Sequence, residues 1–227
     1  MKKVLFGLMS AMMLFAASCS NDVAMLEDAG KDALVSLKVS TPEIASRAYS
    51  DGQTATHLQY AVYDAEGQYL SDLTQDDLTI NGSTTVELKL TTGNNYTVIF
   101  WAAAPDAPYA VDFAAKTMTV DYTGAKSNDE TRDAFYCVKN FTVNQKLVEE
   151  NVELKRPFAQ LNIGAADYLD SEYAGYVPTH SYVKVPVYNT LHFWDATVSG
   201  EQTVEFAYNK IDRNETFPVA GNEYIAM

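Results

Sequence analysis

From residue 33 onward, apolar and polar positions alternate with a period of two. Val35, Leu37 and Val39 fall on one face while Ser36, Lys38 and Ser40 fall on the other, the signature of a half-buried strand. Pro42, which has no N–H to give a ladder, ends it. The same alternation returns at residues 58–63, 86–90 and 152–154, and the near-continuous apolar run 96–104 predicts a central strand covered on both faces. Turn chemistry separates these runs: Asp64-Ala65-Glu66-Gly67 between two short strands, Asn81-Gly82 as a hairpin dipeptide, and Gly93-Asn94-Asn95 closing the next pair. No segment offers three turns of amphipathic helix with caps, and residues 73–78 and 168–173 are expected to form a single helical turn at most. Many short strands at this spacing predict an all-β protein built as an antiparallel β-sandwich.

Two units are expected. The first spans residues 33–156. The second, 157–227, opens at Arg156-Pro157 with a strand over 158–163 and continues with strands at 182–187, 190–194, 203–206 and 223–227. It is short for a sandwich, and its last strand runs to the chain end, so it is expected to be incomplete. Composition agrees with a folded sheet protein. Of 227 residues 47% are hydrophobic and 20% charged, enough apolar surface for a core and too much charge for a multi-span membrane protein. Fifteen Tyr and ten Phe against two Trp suit pleated surfaces. A net charge of −14 argues against a nucleic-acid partner, which needs clustered cations to displace phosphate counterions.

The first residues carry an address. Lys2 and Lys3, an uncharged apolar stretch over 4–15, and the small residues Ala16, Ala17 and Ser18 make residues 1–18 an export signal. Twelve helical residues cover about 18 Å, well short of a hydrocarbon core of about 30 Å, so this stretch is not read as a permanent span. Cys19 follows directly, and this part resembles the lipobox of bacterial lipoproteins, in which the cysteine is acylated and becomes the mature N-terminus. Ala16 stands where that pattern commonly has Leu. Residues 19–32 are polar and acidic and read as a tether. With Cys19 lipidated, Cys137 has no partner for an intrachain disulfide, and its apolar surroundings suit a small buried hydrophobe.

Candidate chemistry is sparse. His57, His180 and His192 have no ligand spacing, no Cys/His cluster exists, and there is neither a Gly-rich phosphate loop nor a nucleophile elbow. No catalytic residue, metal or cofactor is therefore assigned, and the chain is read as a non-enzyme. Asp76-Asp77 and Asn128-Asp129-Glu130 lack the alternating spacing of a calcium loop and are read as solvated turns. Trp101 and Trp194, with Tyr168, Tyr173, Tyr176, Tyr182 and Tyr188, are candidate stacking platforms for a surface glycan, against the plainer reading of sheet packing. Arg47 stands out. It lies in Ser46-Arg47-Ala48-Tyr49-Ser50, small and polar residues just after the first strand, the kind of segment a protease cuts. Cleavage between Arg47 and Ala48 would free that strand and leave a groove that another strand could fill.

Taken together, the Cys19 motif, the acidic tether, the first strand with Ser46-Arg47-Ala48, the run Leu58-Gln59-Tyr60-Ala61-Val62-Tyr63-Asp64, and Arg156-Pro157-Phe158-Ala159-Gln160-Leu161-Asn162 resemble the fimbrillin-like lipoproteins of Bacteroidales-type bacteria, the subunits of type V pili and their relatives. The resemblance implies two transthyretin-like β-sandwich domains and a lipid anchor at Cys19 in the outer membrane at the cell surface. It further implies a trypsin-like cut after Arg47 and polymerisation with other pilin subunits by strand exchange. Anchors, tips and plain surface lipoproteins occur among such proteins, so the partner could equally be a surface glycan or a host protein.

Overall fold

The computed structural model describes residues 30–42, 52–127, 129–159, 161, 163–165, 180–208 and 223–226. These form thirteen strands: β1 Asp32–Ser40, β2 His57–Tyr63, β3 Tyr69–Thr79, β4 Ser83–Thr91, β5 Asn95–Ala103, β6 Tyr109–Asp112, β7 Thr117–Val120, β8 Ala134–Thr142, β9 Leu147–Glu153, β10 Ile163–Ala165, β11 Ser181–His192, β12 Val198–Tyr208 and β13 Glu223–Ala226. One 3-10 turn, Glu130–Arg132, precedes β8. The protein is all-β, as the alternating pattern predicts. Among the described residues no helix is long and apolar enough to cross a membrane.

Three main sheets are present, ordered β4-β1-β9, β3-β2-β5-β8 and β12-β11-β7-β6, with β10 and β13 as a separate pair. The sheet β3-β2-β5-β8 is the middle layer. On one side Leu58, Tyr60 and Val62 of β2 and Val98, Phe100 and Ala102 of β5 share a core with the β4-β1-β9 sheet. On the other, Ala61, Tyr63, Ile99 and Trp101 meet Phe113, Met118, Leu191 and Phe193 in a second core. That two-sided cover is why β5 is apolar nearly throughout, since each face of a strand between two layers must be dry. The first two sheets enclose their core as a sandwich, and the third adds a layer.

Several expectations need correcting. Residues 73–78 are not a helical turn but part of β3, an edge strand whose ladder with β2 carries two register shifts. Its polar Thr74, Gln75, Asp76 and Asp77 blur the alternation because an edge strand exposes both margins to water, and charge there discourages further pairing. Asn81-Gly82 and Gly93-Asn94 do not close hairpins. They carry the chain from the middle layer to the first and back, because β3 and β4, and then β4 and β5, lie in different sheets. Gly82 and Gly93 adopt φ of 71° and 90°, so the dipeptides do reverse the chain sharply. Turn residues specify the reversal; the buried faces decide the partner. The strands expected at 182–187 and 190–194 are one strand, β11, which continues through Asn189 and ends at His192. Of the strand expected over 158–163, Phe158, Ala159 and Leu161 lie outside any strand, and Ile163 opens β10. Across the expected boundary at 156/157, β11 from the second unit pairs with β7 from the first, Thr190 with Thr119 and Leu191 with Met118.

Candidate functional site

The feature that bears on function is the seat of β1. This strand lies between β4, to which it is antiparallel from Asp32↔Thr91 to Ser40↔Ser83, and β9, to which it is parallel from Leu34↔Leu147 to Ser40↔Glu153. Ala33, Val35, Leu37 and Val39 point inward with 0–3% exposure, into the core that the β4-β1-β9 sheet shares with β2 and β5. Burying each Val or Leu side chain contributes roughly 1.5–3 kcal/mol. Neighbouring strands stand about 4.8 Å apart, so a sheet lacking β1 would hold β4 and β9 about 10 Å apart, the width of one strand. Both margins would then present unpaired N–H and C=O groups, and the floor would be apolar at every second residue. β1 is thus a terminal segment in sequence but an interior strand in space.

The chain on either side of the Arg47 segment is firmly held. Upstream, Leu154 donates its N–H to Ser40 O at 2.8 Å and Thr41 donates to Gly82 O at 3.0 Å. Downstream, Gly52 donates its N–H to Asp133 Oδ2 at 3.0 Å, Thr54 Oγ1 donates to Glu130 O at 2.7 Å, and Ile80 donates to Thr56 O at 2.9 Å. Cys19, Arg47 and Ala48 themselves, like Tyr168, Tyr173 and Tyr176, lie outside the described residues.

The aromatic candidates divide. Trp101 is 2% exposed and wedged edge-on between Tyr109 and Phe193, with ring centroids 5.2 and 5.9 Å away. A ring so placed has no face for a sugar, and its role is packing. Its burial follows from the two-sided cover expected for β5. Trp194 is 47% exposed, yet Lys116 Nζ lies 4.3 Å from its centroid. The same ammonium donates to Gly67 O at 2.8 Å and sits 5.3 Å from the Tyr63 ring. One lysine therefore ties the 64–67 turn to the turn after β11. Tyr182 and Tyr188, an even number of residues apart, share the outward face of β11.

A concavity of about 490 Å³ lies under the third sheet and is lined among others by Tyr109, Tyr122, Arg132, Val185, Leu191 and Phe206. Tyr109 donates its hydroxyl to Arg132 O, and burial pushes its phenol well above the ordinary range. The other candidates have ordinary roles. His192 Nε2 is 2.9 Å from Ser199 Oγ, His57 Nε2 is 3.6 Å from Asp77 Oδ1, and Asp129 accepts from Thr131 N at the start of the 3-10 turn. Cys137 is half-buried in β8, and desolvation raises its thiol pKa, which disfavours the reactive thiolate. Sequence reasoning missed Lys116 and Asp133. Lys116 adopts φ of 59° in a turn, and Asp133 acts through Gly52, 81 residues away, so no spacing rule points to either.

Comparison with known proteins adds a family and a fold. The model of the family of unknown function DUF6562 matches residues 28–222. The chain belongs to that family. No curated protein matches it. Among solved structures it is similar to a candidate polysaccharide-binding protein (DUF1812) from Bacteroides thetaiotaomicron, with 15% identity and a TM-score of 0.51 over 86% of this chain and 71% of that one. It is likewise similar to a candidate adhesin from Bacteroides ovatus, with 10% identity and a TM-score of 0.51 over the same shares, 86% and 71%. A likeness to the fimbrial anchor protein Mfa2 from Porphyromonas gingivalis has a TM-score of 0.47 and 12% identity over 80% and 75% of the two chains. In fold, this DUF6562 member goes with the Bacteroides adhesin-type proteins, as the fimbrillin-like resemblance implied.

Proposed function

We propose that the chain is a fimbrillin-like surface lipoprotein, a structural or adhesive pilus subunit anchored in the outer membrane through lipid on Cys19. A cut between Arg47 and Ala48 frees β1, and a strand from another subunit takes its place. It is not an enzyme. The observation that carries this reading is the seat of β1: the one strand upstream of Arg47 among the described residues is also an interior strand with a dry inner face. An ordinary N-terminal edge strand would leave no slot when removed. The fold shared with candidate adhesins supports a role in adhesion or assembly.

The setting of Arg132 and Arg156, the other arginines among the described residues, supports selectivity. Arg132 keeps 17% of its side chain exposed, 3.5 Å from Asp129 and over the Tyr122 ring. Arg156 is paired with Asp133 and precedes Pro157, whose ring and missing N–H obstruct the extended backbone a trypsin-like protease must grip. The test is intact mass before and after limited digestion with an arginine-specific protease, on protein purified from its native membrane. A lipid-modified Cys19, one clip after Arg47 and a ladder of oligomers are expected. Equal cutting at Arg132, Arg156 and Arg213 would overturn the processing step.

A second reading is a glycan-binding surface lipoprotein. The exposed Trp194 edge and the Tyr182–Tyr188 face favour it, and one structural relative is a candidate polysaccharide binder. Here Trp194→Ala abolishes binding on a glycan array, whereas a blank array for the folded protein removes this reading.

A further inference from the structure

We infer that Asp133, clamped by Arg156, is a pin that keeps the chain beyond Arg47 seated when β1 leaves, so that release stops at that one strand. This inference rests on the proposed cut for its purpose, though not for its geometry. A break anywhere in residues 43–51 creates two ends with opposite needs. The upstream end must depart with β1, while the downstream end must stay, because it leads into β2 at the heart of the middle sheet between β3 and β5.

The two ends are held by different kinds of bond. On the upstream side, the bonds from Leu154 N to Ser40 O and from Thr41 N to Gly82 O use backbone groups that an incoming strand can replace with its own. On the downstream side the grip is specific to this chain. Asp133 is 5% exposed and takes the Gly52 N–H on Oδ2 while Arg156 donates to both of its oxygens. The Arg156 guanidinium lies 4.6 Å from the centroid of the Phe135 ring, and Gly52 rests on that same ring. With φ of 81° and a hypothetical Cβ only 3.0 Å from Phe135 Cζ, position 52 admits glycine and little else. A charge-assisted hydrogen bond to a buried, paired carboxylate is stronger than a neutral backbone bond. Loss of β1 therefore leaves residues 52–56 in place, and the same carboxylate joins them to Arg156, where the chain leaves the first sandwich.

The experiment is amide hydrogen exchange on the full chain, before and after arginine-specific clipping, read on the peptide covering residues 52–58. It compares the natural sequence with Asp133→Ala and, because that change strands a buried arginine, with Gly52→Ala, which leaves the ion pair intact. Clipping is expected to leave protection of this peptide unchanged in the natural sequence. In both variants protection should fall roughly tenfold to a hundredfold, with β5 still protected as proof of folding. If clipping proceeds and the peptide exchanges alike in all three proteins, the pin is refuted and the processing reading stands. If the natural chain is never cut at Arg47, the processing reading fails, and the pin is then decided by the unclipped proteins, upheld by the same loss in both variants and refuted by equal protection.

Discussion

β1 and the β11–β12 ribbon are both strand elements that the alternating pattern foretells, yet they meet opposite fates in the fold. Every inward residue of β1 is dry, and a neighbour flanks it on each side over most of its length. The continuous pairing of the ribbon is internal; outside it β11 joins β7 through three residues at its end, Thr190, Leu191 and His192, and β12 meets a single bridge from Lys126 to Ala207. Tyr182 is 69% exposed, Val198 50%, and Val183, Val185 and Val187 are half-buried over the concavity. A strand is thus secured by what covers its faces and margins, not by its own alternation. The most firmly seated element in this comparison is the one the proposed mechanism removes. That is coherent, because only a strand with a dry, two-sided seat leaves a slot whose refilling repays its loss.

The contrast can be broken most forcefully in the cores. Leu37→Asp places an unpaired charge in the first core and should leave no cooperative unfolding transition in denaturant, while Leu37→Ala should cost about 2–5 kcal/mol. Trp101→Ala should cost about 3–5 kcal/mol by opening the second core. If it instead abolished glycan binding without loss of stability, the packing role given to that ring would be wrong. Separating Asp133 from Arg156 by Arg156→Gln should cost about 3–5 kcal/mol, since a buried carboxylate loses its charge partner. At the exposed turn, Lys116→Ala removes a cation–π contact and should cost about 1 kcal/mol or less in the same denaturant titration. On the ribbon, Tyr182→Ser should shift stability by no more than about 0.5 kcal/mol.

Alkaline pH sharpens the comparison from another side. Burial raises the Tyr63 and Tyr109 phenol pKa values above the ordinary 10.0. The unfolded chain then releases these protons first, so the folded state binds more protons once the pH passes about 10. Stability is fully present below that pH and declines above it toward the folded values. Denaturant midpoints should fall from pH 10 upward, and Tyr63→Phe, which also removes the 2.6 Å hydrogen bond to Phe113 O, should start lower and fall less steeply.

Much of the fold was legible because alternation and burial coincide in it. Val35, Leu37 and Val39 read correctly as one inward face, and the unbroken run of β5 read correctly as doubly covered. Partner choice was not legible. Asn81-Gly82 encodes a tight reversal, but only the pairing of β4 with β1 sends the chain into another layer. β11 was divided in the reading at residues 188–189, although the strand runs through Asn189, and Pro186 was placed within it. Pro186 falls where β11 is paired with β12 on one side and, among the described residues, with no strand on the other, which leaves room for a residue with no N–H. At the site, the first strand and the segment after it were visible as neighbours in sequence. The parallel partner β9, more than a hundred residues on, was not, and neither was the Asp133 carboxylate beneath Gly52.

The central claim is that the seat of β1 accepts a strand from another chain. It is tested most directly by clipping the protein after Arg47, adding an isotope-labelled synthetic peptide of residues 32–40, and following its uptake by native mass spectrometry. The account predicts one peptide bound per chain with loss of the original fragment, and no uptake of the same peptide carrying Leu37→Asp. Retention of the original fragment with no exchange, or equal uptake of both peptides, would contradict it.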